Sequence, residues 1–241
     1  MNLEKQSKKI ISLIKINKLN ILITLLIIYA FYCAIVVGQS WDEEHHLLQG
    51  KITLNYLFSL GSINVDLFYR EFYSPSYWTI QFFLTQIFPI KYQIEIAHLI
   101  NLIFSLSTII AFGKFGEELF NKKIGIYFSI LLAINPIFFG HMIMNGKDTI
   151  IAFSHMWIIC LFIKYLKKQK KDSENIKYIF FISLLIALGT GVQLLFIGTL
   201  IPIIIFMLLD IFIFKKITSK NFKIKIFFLD IIKCFIIFYL L

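Results

Sequence analysis

Charge is scarce in this chain. Asp, Glu, Lys and Arg together make up 16% of its 241 residues, well below the roughly 25% usual in a soluble domain. Cysteine is nearly absent as well. Cys33, Cys160 and Cys234 all sit inside apolar blocks, with no CxxC pair and no neighbouring histidine at metal-ligand spacing, so the sequence offers neither a disulfide framework nor a zinc knuckle. Arginine is rarer still, with Arg70 alone among 24 basic residues. No repeat with a period of 20 to 50 residues is visible. The net charge of +10 does not mark a nucleic-acid binder, because the lysines fall between apolar blocks instead of forming a stripe with interleaved aromatics.

What remains is apolar: 59% of the residues are hydrophobic, grouped in blocks of membrane-spanning length. Lipid is therefore the main solvent. The blocks cover residues 21–38, 94–112, 124–139, 150–163, 178–188, 194–214 and 226–241. They predict an all-α membrane protein of about seven transmembrane helices. A signal peptide is the rival reading of the first block. Its apolar run exceeds the usual signal-peptide core of roughly 7 to 15 residues, which favours an uncleaved anchor.

The lysines report topology. With the N-terminus in the cytoplasm and sides alternating, the four inside segments carry 5, 3, 6 and 5 basic residues, and the outside segments hold only Lys51, Arg70, Lys91 and Lys147. The expected organisation is a cytoplasmic basic tail (1–20) followed by one transmembrane domain (21–241) in the cell membrane. Its first outer loop covers 39–93. Within that loop, residues 46–60 carry apolar side chains near helical spacing, and residues 77–90 are apolar but short, ending near Pro89. Both read as interfacial or re-entrant helices.

Polar residues cluster at two places on the outer side. Trp41-Asp42-Glu43-Glu44-His45-His46 follows the first block, and His141, Asn145, Lys147 and Asp148 open the fourth. The first cluster reads either as a site or as a solvated helix start whose acids favour the helix dipole. The second reads either as a site or as Lys147 snorkelling beside an Asp148 cap. Both can face one cavity. Arg70 and Glu71 precede the turn Tyr73-Ser74-Pro75-Ser76-Tyr77-Trp78, whose aromatics are ordinary interface anchors. A lone guanidinium placed outside, against the charge bias, suits bidentate phosphate binding.

The order of these features resembles the C superfamily of glycosyltransferases, in particular the branch of protein O-mannosyltransferases and the lipid A aminoarabinose transferase. The matching features are Asp42-Glu43 after the first span, a first outer loop with Pro75, and Asp148 opening a later span. The stretch from Asn135-Pro136-Ile137-Phe138-Phe139-Gly140-His141 to Asn145-Gly146-Lys147-Asp148 looks like a span junction of bacterial members. The chain departs from many relatives at Ser74-Pro75-Ser76, where they carry His-Pro-Pro or Lys-Pro-Pro. It also stops within an apolar run, as expected for the N-terminal part of a longer enzyme.

The resemblance implies inverting transfer of a sugar from a polyprenyl-phosphate carrier to a hydroxyl of a lipid, glycan or protein acceptor on the outer face. The donor is a phosphodiester whose carrier phosphate leaves as a stable monoester anion, so a single general base suffices. By resemblance that base is Asp42. Glu43, His45 and His46 would position the base or the sugar, and Arg70 and Lys147 would receive the phosphate. His141, Asn145 and Asp148 would complete the substrate site. No cofactor is required, although a divalent metal on Asp42, Asp148 and a histidine is chemically compatible. The rival readings are a transporter or flippase subunit and an inactive truncated transferase. Against the former, Asp210, Asp230 and Lys233 are the few ionisable residues inside apolar blocks.

Overall fold

A computed structural model describes residues 21–62, 74–169 and 172–241, with side chains from residue 175 onward in the last segment. The basic tail 1–20, Arg70 and Glu71 lie outside the described residues. All regular structure among the described residues is helical. The chain opens with α1 (Ile21–Val36), α2 (Glu43–Phe58), α3 (Ser76–Thr85), a 3-10 turn at Ile90–Tyr92 and α4 (Gln93–Leu119). After these come α5 (Lys122–Ala133), α6 (Pro136–Met144), α7 (Gly146–Lys168) and α8 (Asp172–Thr190). The remainder is α9 (Phe196–Thr199), α10 (Ile201–Leu209), a π turn at Asp210–Phe214 and α11 (Ile224–Leu240).

Among the described residues, three helical runs are long and apolar enough to cross a membrane: Ile90–Leu119, Gly146–Lys168 and Phe196–Phe214. A fourth is reached if the pair α5 and α6 counts as one span. The chain is thus a multi-pass membrane protein, and among the described residues three or four spans are found, so the expected count of seven is not confirmed. The block 124–139 is two helices bent by 68°, because Pro136 has no N–H to give and forces Asn135 into an extended conformation (ψ 120°). Ile21–Val36 and Asn175–Thr190 are apolar but shorter, about 24 Å each at 1.5 Å per residue against a core of about 30 Å. In α11 the charges of Lys225, Asp230 and Lys233 interrupt the apolar run. Large side chains such as Ile21, Leu25, Ile201, Ile205, Phe206 and Phe235 cover the outer surface of the bundle, as expected where lipid is the solvent.

Asparagines punctuate the chain reversals. Asn121 accepts from the backbone N–H groups of Lys123 and Ile124 (3.0 and 3.1 Å) and caps α5. Asn135 accepts from Phe138 N (2.9 Å) and caps α6, with Pro136 in the first turn. Asn145 is at once the C-cap of α6 and the N-cap of α7.

The bundle has two distinct ends. At one, α2 and α3 pack on the starts of α4 and α7 around Leu47, Phe82, Ala97, Tyr77, Trp78 and Ile150. At the other, Lys167 pairs with Glu118 (3.1 Å) and the 215–223 loop returns to α7 through Ser219 N and Leu166 O. An apolar cavity of about 360 Å³ lies between α7, α8, α10 and α11, away from the α2/α3 end.

At ten residues, or about 15 Å, α3 is too short to span, as its sequence predicts. Its aromatics, however, are not interface anchors. Tyr77 and Trp78 are 1% and 2% exposed, because α3 is wedged between α2, α4 and the start of α7. Two glycines make room for it. A Cβ at Gly50 would run into the Trp78 carbonyl, and one at Gly146 would lie 2.8 Å from both the Trp78 and Tyr77 rings.

Two buried carboxylates organise the opposite end. Asp210 accepts from Lys216 N, Ile217 N and Thr218 N (2.9, 3.1 and 2.8 Å) and from the Thr218 hydroxyl (2.8 Å). Asp230 accepts from Tyr165 (2.9 Å), Asn175 (3.1 Å) and Lys233 (3.2 Å). Both are satisfied within the protein, as burial demands.

Two outcomes follow for thermal unfolding in detergent. Gly146→Ala is expected to lower stability by about 1–3 kcal/mol, because the added methyl overpacks a rigid aromatic pair; an unchanged melting temperature would contradict the close approach. Asp210→Ala strands three backbone donors and is expected to cost about 1–3 kcal/mol, with faster proteolysis within residues 215–223.

Candidate active site

The acidic start of α2 divides its residues between two environments. Asp42 is the N-cap residue. Its carbonyl accepts from His46 N (3.0 Å), while its side chain makes no capping hydrogen bond and is exposed. Glu43, one position on, turns inward and is buried. Adjacent helical residues diverge by about 100° around the axis, so the two carboxylates of this pair serve different surroundings. Glu43 Oε2 accepts from Ser40 N (2.6 Å), closing the turn into the helix, and Oε1 lies 2.7 Å from His98 Nε2. His98 is fully buried on α4, and its Nδ1 is 3.1 Å from the carbonyl of Ala34 in α1. One imidazole thereby joins α1, α2 and α4.

Of the rest of the first cluster, His46 is held by α3. The His46 ring stacks on Trp78 (centroids 4.1 Å apart, planes 11° apart), and His45 lies edge-on to His46 at 6.5 Å. Trp78 in turn meets Tyr77 edge-on at 5.0 Å. Tyr77 donates to Asn101 Oδ1, and Gln81 Nε2 donates to Asn101 Oδ1 (3.2 Å) and to Ala97 O (3.1 Å). Burial pushes the Tyr77 phenol well above its ordinary value, which keeps it a donor.

The polar face of α4 continues to the second cluster. Asn101 Nδ2 donates to Ile143 O (2.9 Å) and Ser105 Oγ to Met142 O (3.0 Å). These carbonyls close the last turn of α6, where the helix supplies no partner of its own. The junction of α6 and α7 is thereby fixed against α4. Around it, Asn145 Nδ2 donates to His141 Nδ1 (2.7 Å) and to Asp148 Oδ2 (2.9 Å), and Asn145 Oδ1 accepts from Asp148 N (3.1 Å). His141 and Asp148 remain open to the surface, with 44% and 51% of their side chains exposed. Lys147 stands half-buried in the first turn of α7.

Of the residues singled out from the sequence, Asp42, Glu43, His45, His46, His141, Asn145, Lys147 and Asp148 all lie at the same end of the bundle, and α3 links the two groups. Arg70 lies outside the described residues. Among the described residues, no three His, Cys, Asp or Glu side chains converge as a metal site, so Asp42, Asp148 and a histidine do not form the ligand set considered above. His98, Gln81 and Asn101 escaped the sequence reading. Their signal was His98, Asn101 and Ser105 at helical spacing on one face of an otherwise apolar span, polar groups that a membrane helix tolerates only for a reason.

The sequence model of one family, described as dolichyl-phosphate-mannose-protein mannosyltransferase, matches residues 75–240. The matched stretch includes α3, the polar face of α4 and the α6–α7 junction, and begins after Asp42-Glu43. No curated protein and no solved structure matches the chain. With the match covering more than half of the sequence, the chain belongs to the dolichyl-phosphate-mannose-protein mannosyltransferase family of membrane glycosyltransferases.

Proposed function

We propose that the chain transfers a sugar from a polyprenyl-phosphate carrier to an acceptor hydroxyl, with inversion at the anomeric carbon and Asp42 as the base. The observation that carries this reading is the gathering of Asp42 and of the His141/Asn145/Asp148 group at one end of the bundle, in a chain of this family. That end carries few lysines, whereas Lys122, Lys123, Lys167, Lys168, Lys215 and Lys216 belong to the other. By the positive-inside rule this distribution supports a site on the outer face of the cell membrane.

In this mechanism the acceptor oxygen attacks the anomeric carbon as the bond to the phosphate oxygen breaks on the opposite face. The electron pair of that bond leaves with the phosphate. The acceptor proton passes to the Asp42 carboxylate, which is exposed and makes no capping hydrogen bond. Phosphate is a competent leaving anion, so no acid need face the base. Lys147, and Arg70, which lies outside the described residues, would meet the departing charge. The half-buried His46 ring, backed by the buried Trp78, and His141 with Asp148 would offer hydrogen-bonding groups to sugar hydroxyls.

The transporter reading loses ground on two observations. The family is one of transferases. The carboxylates buried among the apolar helices, Asp210 and Asp230, are engaged in a loop cap and a helix-to-helix network.

Membranes expressing the chain, supplied with radiolabelled polyprenyl-phosphate sugars, test the proposal. Asp42→Asn is expected to lower transfer about 10²–10⁴-fold while the chain stays folded. Wild-type rates in Asp42→Asn would remove Asp42 from the chemistry. Lys147→Ala is expected to lower kcat about 10²-fold, as for a lost electrostatic stabiliser, and an unchanged kcat would assign the phosphate to other groups.

A further inference from the structure

The Glu43–His98 contact fixes more than two side chains. His98 Nδ1 faces a carbonyl oxygen, which can only accept, so Nδ1 carries a hydrogen. Nε2 then faces a carboxyl oxygen at 2.7 Å, a distance that requires one proton between them, as imidazolium with carboxylate or imidazole with carboxylic acid. In either form the pair is neutral as a whole. Fully enclosed, His98 has both ring nitrogens engaged by residues 64 and 55 positions away in sequence. Glu43 has its second oxygen on Ser40 N. The segment from Ala34 to Glu43, which contains Asp42, is thus pinned to α4 at both ends by one ring.

From this geometry we infer that His98 is a positioning residue for the reaction: through Glu43 it holds the first turn of α2, and with it Asp42, in register with the α6–α7 junction carried by the same face of α4. The inference rests on the reading of Asp42 as the base. Asp42 has no capping hydrogen bond of its own, so its position is set by the backbone turn that Glu43 anchors. Asn101 and Ser105, one and two turns along from His98, anchor the carbonyls that precede Asn145. One rigid helix therefore sets the distance between the proposed base and the proposed substrate groups, and catalysis is sensitive to that distance.

Deuterium exchange of the full chain in detergent, combined with steady-state transfer, tests this role. His98→Ala removes both contacts, whereas His98→Gln retains a side-chain amide able to donate to Glu43. The expected result is faster exchange at residues 40–46 in His98→Ala with kcat about a hundredfold lower and an unchanged KM for the donor, and recovery of both in His98→Gln. Exchange at the wild-type rate in His98→Ala overturns the proposal whatever the transfer rate. Loss of kcat in His98→Ala without recovery in His98→Gln, at wild-type exchange, overturns it also. A wild-type chain that transfers no sugar from any donor defeats the functional reading alone, and exchange still decides the role of His98. If His98→Ala does not fold, Glu43→Ala and Glu43→Gln give the same comparison from the other side of the contact.

Discussion

A polar side chain inside an apolar bundle must find its partner within the protein, and α4 meets that constraint along one face. His98, Asn101 and Ser105 are buried on it, and each is satisfied from other elements: His98 by α1 and α2, Asn101 by α3 and α6, Ser105 by α6. In a membrane the hydrophobic effect gives helices little reason to choose one rotation over another, so such contacts specify the arrangement more than they strengthen it. The polar face of α4 is the reference to which α2, α3 and the α6–α7 junction are all set. The proposed site inherits its geometry from that face.

The wedge α3 completes the arrangement. It is too short to span and too apolar to lie free, and it is accepted because Gly50 and Gly146 leave space for its aromatic pair. Its tryptophan then becomes the floor under His46, while its tyrosine and glutamine converge on Asn101. Sequence segments separated by about a hundred residues, around His46 and Gly146, thereby meet at the same tryptophan ring. The opposite end follows a different logic, with Asp210 gathering a loop and Asp230 tying α7, α8 and α11 together.

Much of this was legible in the sequence. The apolar blocks announced helices in lipid, and the lysine distribution placed both polar clusters at one end. The number of spans was less legible, because composition does not record direction: residues 124–139 are apolar throughout yet turn through 68° at Pro136. Composition alone does not separate Asp42 from Glu43, to which only the resemblance gave different roles; the helix start directs one outward and the other onto a histidine 55 residues away. Tyr77 and Trp78 carried the composition of interface anchors, and tertiary packing made them core.

The most direct test of the account is the anomeric configuration of the product. The wild-type chain would be incubated with purified polyprenyl-phosphate sugars of known configuration, and the transferred sugar examined by nuclear magnetic resonance. The account predicts a sugar joined to a hydroxyl with the configuration opposite to that in the donor, as a single displacement with one base requires. Retention of configuration would contradict a single displacement and require a covalent intermediate, and sugar remaining on every carrier would contradict the transfer itself.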